Sequence, residues 1–163
     1  VRGNLSLQQC TAVLPDGLRV DGDLDISGSG IESLPRNLSV GGNLVATDSG
    51  LSELPDGLKV GGSLMIGKTR IATVPSGTVV GGNLLARDLG ALRVEAGTRI
   101  GGFVSVDADM VHNLSIDGDA DIDGHIHLRP SAGGPRGRTV ITVDEAMAGP
   151  WRQALPAASA ARL

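Results

Sequence analysis

Between residues 117 and 127 the chain reads Asp117-Gly-Asp-Ala-Asp-Ile-Asp-Gly-His-Ile-His127. Asp119, Asp121 and Asp123, followed by Gly124, match the opening of a calcium-binding loop, because carboxylates at alternate positions can converge on a hard cation. The match then fails. The position that needs a bidentate Glu is Pro130, and no helical pattern flanks the segment. Read as a strand, Asp119, Asp121, Asp123, His125 and His127 share one face, where the two imidazoles could chelate a transition metal. The plainer expectation, which we adopt, is a solvated acidic edge that discourages sheet-to-sheet pairing, with no metal and no cofactor.

Other chemistry is thinly supplied. Ser105, Asp109 and His112 contain the residue types of a nucleophilic triad, but their spacing orients no nucleophile. The Gly-Gly pairs precede neither a helix nor a Lys-Ser/Thr step, so they are not phosphate loops. Cys10 is the only cysteine, which excludes an internal disulfide. It occupies the position of Ser29, Ser49 and Thr69 in later repeats, so we expect a small inward or turn-lining residue rather than a reactive thiol. With three His and one Cys in 163 residues, we expect no enzymatic activity and no catalytic residues.

The elements that carry these residues repeat. An apolar residue is followed two places on by Gly and then by small or aliphatic residues at four and six, in copies that begin at Val1, Val20, Val40, Val60, Val80, Ile100 and Ile116. Successive copies start 19, 20, 20, 20, 20 and 16 residues apart. Units of that period cannot bury their apolar faces alone and must stack on their neighbours, which predicts a solenoid. Alternation places Val40, Gly42, Leu44 and Ala46 on one face and Gly41, Asn43 and Val45 on the other. The glycines at inward positions, Gly3, Gly22, Gly42, Gly62, Gly82, Gly102 and Gly118, predict a corner that splits each stretch into two short strands. The outward residues Asn4, Asp21, Asp23, Asn43, Ser63 and Asn83 are small and polar, and read as a plain surface that tolerates substitution. Leu14-Pro15, Leu34-Pro35, Leu54-Pro55 and Val74-Pro75 suit an extended return path that needs no donor from Pro.

Composition narrows the partners. Phe103 and Trp151 are the only aromatic residues, which disfavours single-stranded nucleic acid bound on aromatic platforms. Net charge is −4, with nine Lys/Arg against sixteen Asp/Glu in residues 1–128 and five Arg against two acids in residues 129–163. An acidic body is a poor partner for DNA or an anionic membrane, and no apolar run reaches membrane-spanning length. The expected partner is a protein or a second copy, with no nucleic acid and no membrane. The chain opens inside a repeat and without Met, which leads us to expect a fragment or processed product.

The segment Leu64-Met-Ile66-x-x-Thr69-x-Ile71-x-x-Val74-Pro75 resembles a short bacterial leucine-rich repeat, L-x-L-x-x-N-x-L-x-x-L-P, and Leu44–Pro55 and Leu24–Pro35 match at the same spacing. Such repeats occur in secreted bacterial effectors, the invasion-plasmid-antigen ubiquitin ligases among them. Two departures stand out: Cys10, Ser29, Ser49 and Thr69 replace the asparagine ladder, and the first Leu of the repeat falls on Gly41, Gly61 and Gly81. The Val-Gly-Gly-x-Leu unit is also similar to repeats of phage and bacterial proteins and, more distantly, to the polymer-forming bactofilins.

Together these readings predict an all-β fold: a single β-solenoid of about seven coils over residues 1–128, with leucine-rich-repeat-like coils of about 20 residues. Horseshoe and closed β-helix both remain open at this point. Residues 129–163 read as a loop, a strand near Thr139–Val143, a short helix capped by Asp144, and a lid of Met147, Trp151 and Leu155. The expected function is a non-enzymatic repeat module for protein recognition or rigid spacing. The alternatives are a self-assembling structural protein, bactofilin-like filament or virion fibre, and the targeting domain of a secreted effector. Ice binding is disfavoured because no Thr-x-Thr ladder recurs at the repeat period.

Overall fold

The computed structural model describes residues 1–107 and 113–129 together with the backbone of strand Thr139–Ile141. Among them there is no α-helix, and the strands form three sheets stacked as a β-solenoid of about six turns. Each coil is built the same way. A pair such as Ser39–Val40 enters the corner, and a pair such as Leu44–Val45 leaves it. The entering pairs, from Arg19–Val20 to Asp121–Ile122, stack in parallel as a six-stranded sheet. The leaving pairs, from Leu5–Ser6 to Ile126–Arg129, stack as the first seven strands of an eight-stranded sheet. Its eighth strand, Thr139–Ile141, lies antiparallel against Ile126–Arg129.

Two turns close each coil, and both use left-handed backbone. Gly17, Asn37, Gly57, Gly77 and Gly97 have φ between 57° and 77°, residue types that reach this region at little cost. The other turn places Gln9, Gly28, Asp48, Lys68 and Asp88 at φ of 53° to 63°.

The third side of the coil changes along the stack. From the fourth coil on it is a sheet of Thr73–Val74, Leu92–Val94 and Leu114–Ile116. In the first three coils it is irregular, because Leu-Pro steps remove the donors a ladder needs. The interior follows the change: Leu38 and Leu58 are succeeded by the smaller Thr78 and Thr98, all fully buried. Both hydroxyls are satisfied, donating to the Pro75 carbonyl at 2.7 and 3.2 Å.

Aliphatic columns fill the space between the sides. Val20, Val40, Val60, Val80, Ile100 and Ile122 form one; Leu24, Leu44, Leu64, Leu84, Val104 and Ile126 form another; all are buried. Hydrogen bonds between coils run on every side, for example Gly41 N to Val20 O (2.8 Å), Ile66 N to Leu85 O (2.9 Å) and Arg70 N to Leu51 O (3.0 Å). Coils tied on all sides hold one spacing and do not fan out as a horseshoe must. The cross-section is therefore a closed three-sided one.

Two expectations need correction. The repeat glycine does not point into the core. A Cβ at Gly42 would lie 2.9 Å from the Gly22 carbonyl carbon and collide with Asp23 Oδ1, so hydrogen is required by the coil stacked beside it. The last copy is also out of register: Arg99 pairs with Asp121 and Ile100 with Ile122, so the seventh corner is Gly124, not Gly118. The strand Leu114–Ile116 instead belongs to the third sheet, opposite Leu92–Val94. The spacing of the last copy is thus 22 residues, from Ile100 to Ile122, rather than 16.

A pair of alanine substitutions tests this register. A Cβ at Gly124 would sit 2.6 Å from Gly102 O, whereas one at Gly118 meets nothing within 4 Å. Gly124→Ala is expected to lower stability by about 1–3 kcal/mol, and Gly118→Ala to be neutral or stabilising by up to about 1 kcal/mol. Urea unfolding of the two variants checks it; the reverse order would restore the sequence-based register.

Candidate functional site

The acidic-histidine segment does not assemble. Asp119 lies in a turn, Asp121 in the six-stranded sheet, and His127 beyond the Gly124 corner in the eight-stranded one. The corner breaks the alternation that put the five side chains on one face. Asp121 is instead paired with Arg99 at 3.2 Å, and neighbouring Asp117 with Arg93 at 3.1 Å. The His127 ring stacks on Phe103, with centroids 4.6 Å apart. Among the described residues, no group of three His, Cys, Asp or Glu is placed to hold a metal. Ser105 is 3% exposed, and Asp109, His112 and Pro130 lie outside the described residues, as do Met147, Trp151 and Leu155.

Cys10 takes the expected turn position but is exposed, not inward. Its counterparts Ser29 and Ser49 are buried because a coil stacks on either side of them. The hydroxyls of Ser49 and Thr69 close their turns on Ala46 O (2.7 Å) and Ile66 O (2.8 Å), a bond a thiol makes only weakly.

The most ordered polar feature is one that sequence reasoning passed over as plain surface. At the corner, Asn4 Oδ1 accepts from Asp23 N (2.9 Å), Asp23 Oδ1 from Asn43 N (2.7 Å) and Asn43 Oδ1 from Ser63 N (2.8 Å). Ser63 Oγ then accepts from Asn83 N (3.1 Å), and Asn83 Oδ1 from Phe103 N (3.0 Å). Each small polar side chain fills the space that a Cβ on the next coil's glycine would occupy. The signal was available: a short acceptor always follows the glycine by one residue, until Phe103 ends the run.

Asn83→Ala therefore is not the harmless change its outward position suggests. It strips the acceptor from a half-buried N–H and is expected to cost about 1–3 kcal/mol, read from the urea midpoint. Asn83→Ser, which keeps an acceptor of the kind Ser63 supplies, should recover most of the loss.

Two of the three outer surfaces carry more than isolated polar side chains. On the eight-stranded sheet Val45, Met65 and Leu85 form a half-buried apolar stripe. At its N-terminal end Asp25 is more hydrophilic: partial burial works to raise its pKa, but hydrogen bonds from Ser27 Oγ, Ser27 N and Gln8 hold it below the usual range. On the Leu-Pro side, an open depression of about 1210 Å³ runs across the first three coils, over Leu14, Leu34 and Leu54. Val13 stands 99% exposed at its margin.

The class this geometry defines is a closed, parallel β-solenoid with an antiparallel strand on its last coil. Comparison with protein-family models, with curated proteins and with solved structures gives no match.

Proposed function

We propose that this chain is a non-enzymatic recognition module that presents a rigid outer surface to a protein partner. One observation carries the reading: the repeat residues are consumed in stacking, the aliphatic ones in the columns and the Gly and Asn/Asp/Ser ones in the corner ladder. What varies from coil to coil is the outward set, and rigid repeats with variable outer residues suit recognition. Dimensions favour recognition over spacing. Six coil steps give a stack about 30 Å high, and a 20-residue triangular coil has sides of about 20 Å, so the prism is hardly longer than it is wide.

The self-assembling alternative is disfavoured by Thr139–Ile141, whose antiparallel pairing does not extend the parallel stack. Sedimentation velocity over a concentration series, with negative-stain imaging, tests the choice. A single compact species is expected. Filaments would transfer the chain to the structural class.

A further inference from the structure

Every third-side proline removes a donor from the coil it belongs to and so strands an acceptor on the coil before. Where that position is Glu95 instead, its N–H bonds Val74 O at 3.0 Å. Pro35, Pro55 and Pro75 have no N–H to offer Leu14, Leu34 and Leu54, and among the described residues those three carbonyls accept no hydrogen bond. All three line the depression on this side. This side thus carries a row of unpaired backbone carbonyls at the coil spacing, each directed along the stack toward the proline of the next coil.

The side chains add charge of the same sign. Asp16, Glu32, Glu53 and Asp56 line the depression against one cation, Arg36. Asp16 accepts the backbone N–H of Arg36 at 3.1 Å, and none of the four carboxylates is ion-paired among the described residues. Residues 1–60 hold eight Asp/Glu against four Lys/Arg, while residues 61–163 hold ten of each, so the net charge of −4 resides in these coils. A concave surface lined by carboxylates concentrates negative potential. Between the charges, half-buried Leu14 and Pro55 supply apolar surface, with Val13 standing free at the margin.

We propose that this Leu-Pro groove binds an extended Lys/Arg-rich peptide segment of a partner protein, its cationic side chains donating to Asp16, Glu32, Glu53 and Asp56 and its intervening aliphatic or prolyl residues resting against Leu14 and Pro55. The proposal rests on the recognition reading above and specifies its surface. Charge-assisted donors suit a groove whose four carboxylates face a single cation, and an extended chain crosses coils with alternate side chains facing the wall.

The test uses the full chain and a fluorescent synthetic peptide of roughly twelve residues alternating Arg with Val and Pro, alongside the same peptide with Glu for Arg. Anisotropy should show binding of the Arg peptide alone, weakening as salt rises from about 50 to about 300 mM. The triple variant Glu32→Gln, Glu53→Gln, Asp56→Asn should weaken binding about tenfold or more, and Ser33→Arg, which places a cation in the groove, should do the same. These residues are exposed, so circular dichroism should remain unchanged. A control triple away from the groove, Asp48→Asn, Asp119→Asn, Asp123→Asn, should leave affinity within about twofold. Equal loss in both triples would reduce the effect to general polyelectrolyte attraction and overturn the groove. Absence of Arg-peptide binding to a monodisperse chain would overturn the groove and leave the recognition reading intact; filament formation would remove the recognition reading itself.

Discussion

Gly62→Val is expected to be among the most damaging single substitutions in the stack, lowering stability by about 4 kcal/mol or more. A Cβ at residue 62 would lie 2.5 Å from Asn43 Oδ1, 2.9 Å from the Gly42 carbonyl carbon and 3.0 Å from its oxygen. Two of those atoms are backbone of a coil held by the bond from Gly62 N to Gly42 O at 2.8 Å, so no side-chain rotation relieves the contact. The third is the ladder acceptor for Ser63 N, which would be displaced as well. Gly90→Ala provides the contrast, since a Cβ there meets nothing within 4 Å. Guanidinium unfolding should show a collapsed midpoint for the first variant and an unchanged or raised one for the second. A Gly62→Val midpoint at the parental value would show that the corner does not need its glycine.

Leu64→Ala should follow, at about 2–5 kcal/mol. Leu64 is fully buried and stacks in register between Leu44 and Leu84, so removing its isobutyl group leaves a void that neither neighbouring coil can enter without breaking its own ladder. In a stack, where each coil contacts only its neighbours, such a void also weakens both flanking interfaces. Leu5→Ala, at a half-buried position in the first coil with a neighbour on one side only, should cost less than half as much. Equal losses in urea unfolding would mean that the columns do not form the stabilising core.

Most of the coil is legible along the chain. Alternation marks Val40, Leu44 and Ala46 as inward, and all three are buried; the glycine after Val40 marks a corner, and the strands do break there. These features depend on residues a few places apart, where backbone geometry alone relates sequence to direction. The C-terminal strand is legible for the same reason, its alternation at Thr139–Val143 overlapping the observed Thr139–Ile141.

What lies between coils is another matter. Ile116-Asp-Gly-Asp-Ala-Asp-Ile122 and Ile122-Asp-Gly-His-Ile-His-Leu128 both satisfy the repeat pattern; only stacking against Arg99–Ile100 and Val104 selects the second. With that choice the Asp and His residues part around a corner, and the row of ligands drawn along one strand disappears. The ladder shows the same division, since Asn43 serves its neighbour through Ser63 N, 20 positions away, rather than any group in its own coil. Cys10 is exposed where Ser29 is buried, though both hold the same place in the repeat, because burial belongs to the stack and not to the motif. The sequence by itself therefore determined the shape of one coil, through local alternation and turn chemistry. Tertiary structure alone decided the register of the last coil, the partners of the polar side chains and the open Leu-Pro groove, because each depends on hydrogen bonds made or missed between residues about one full coil apart.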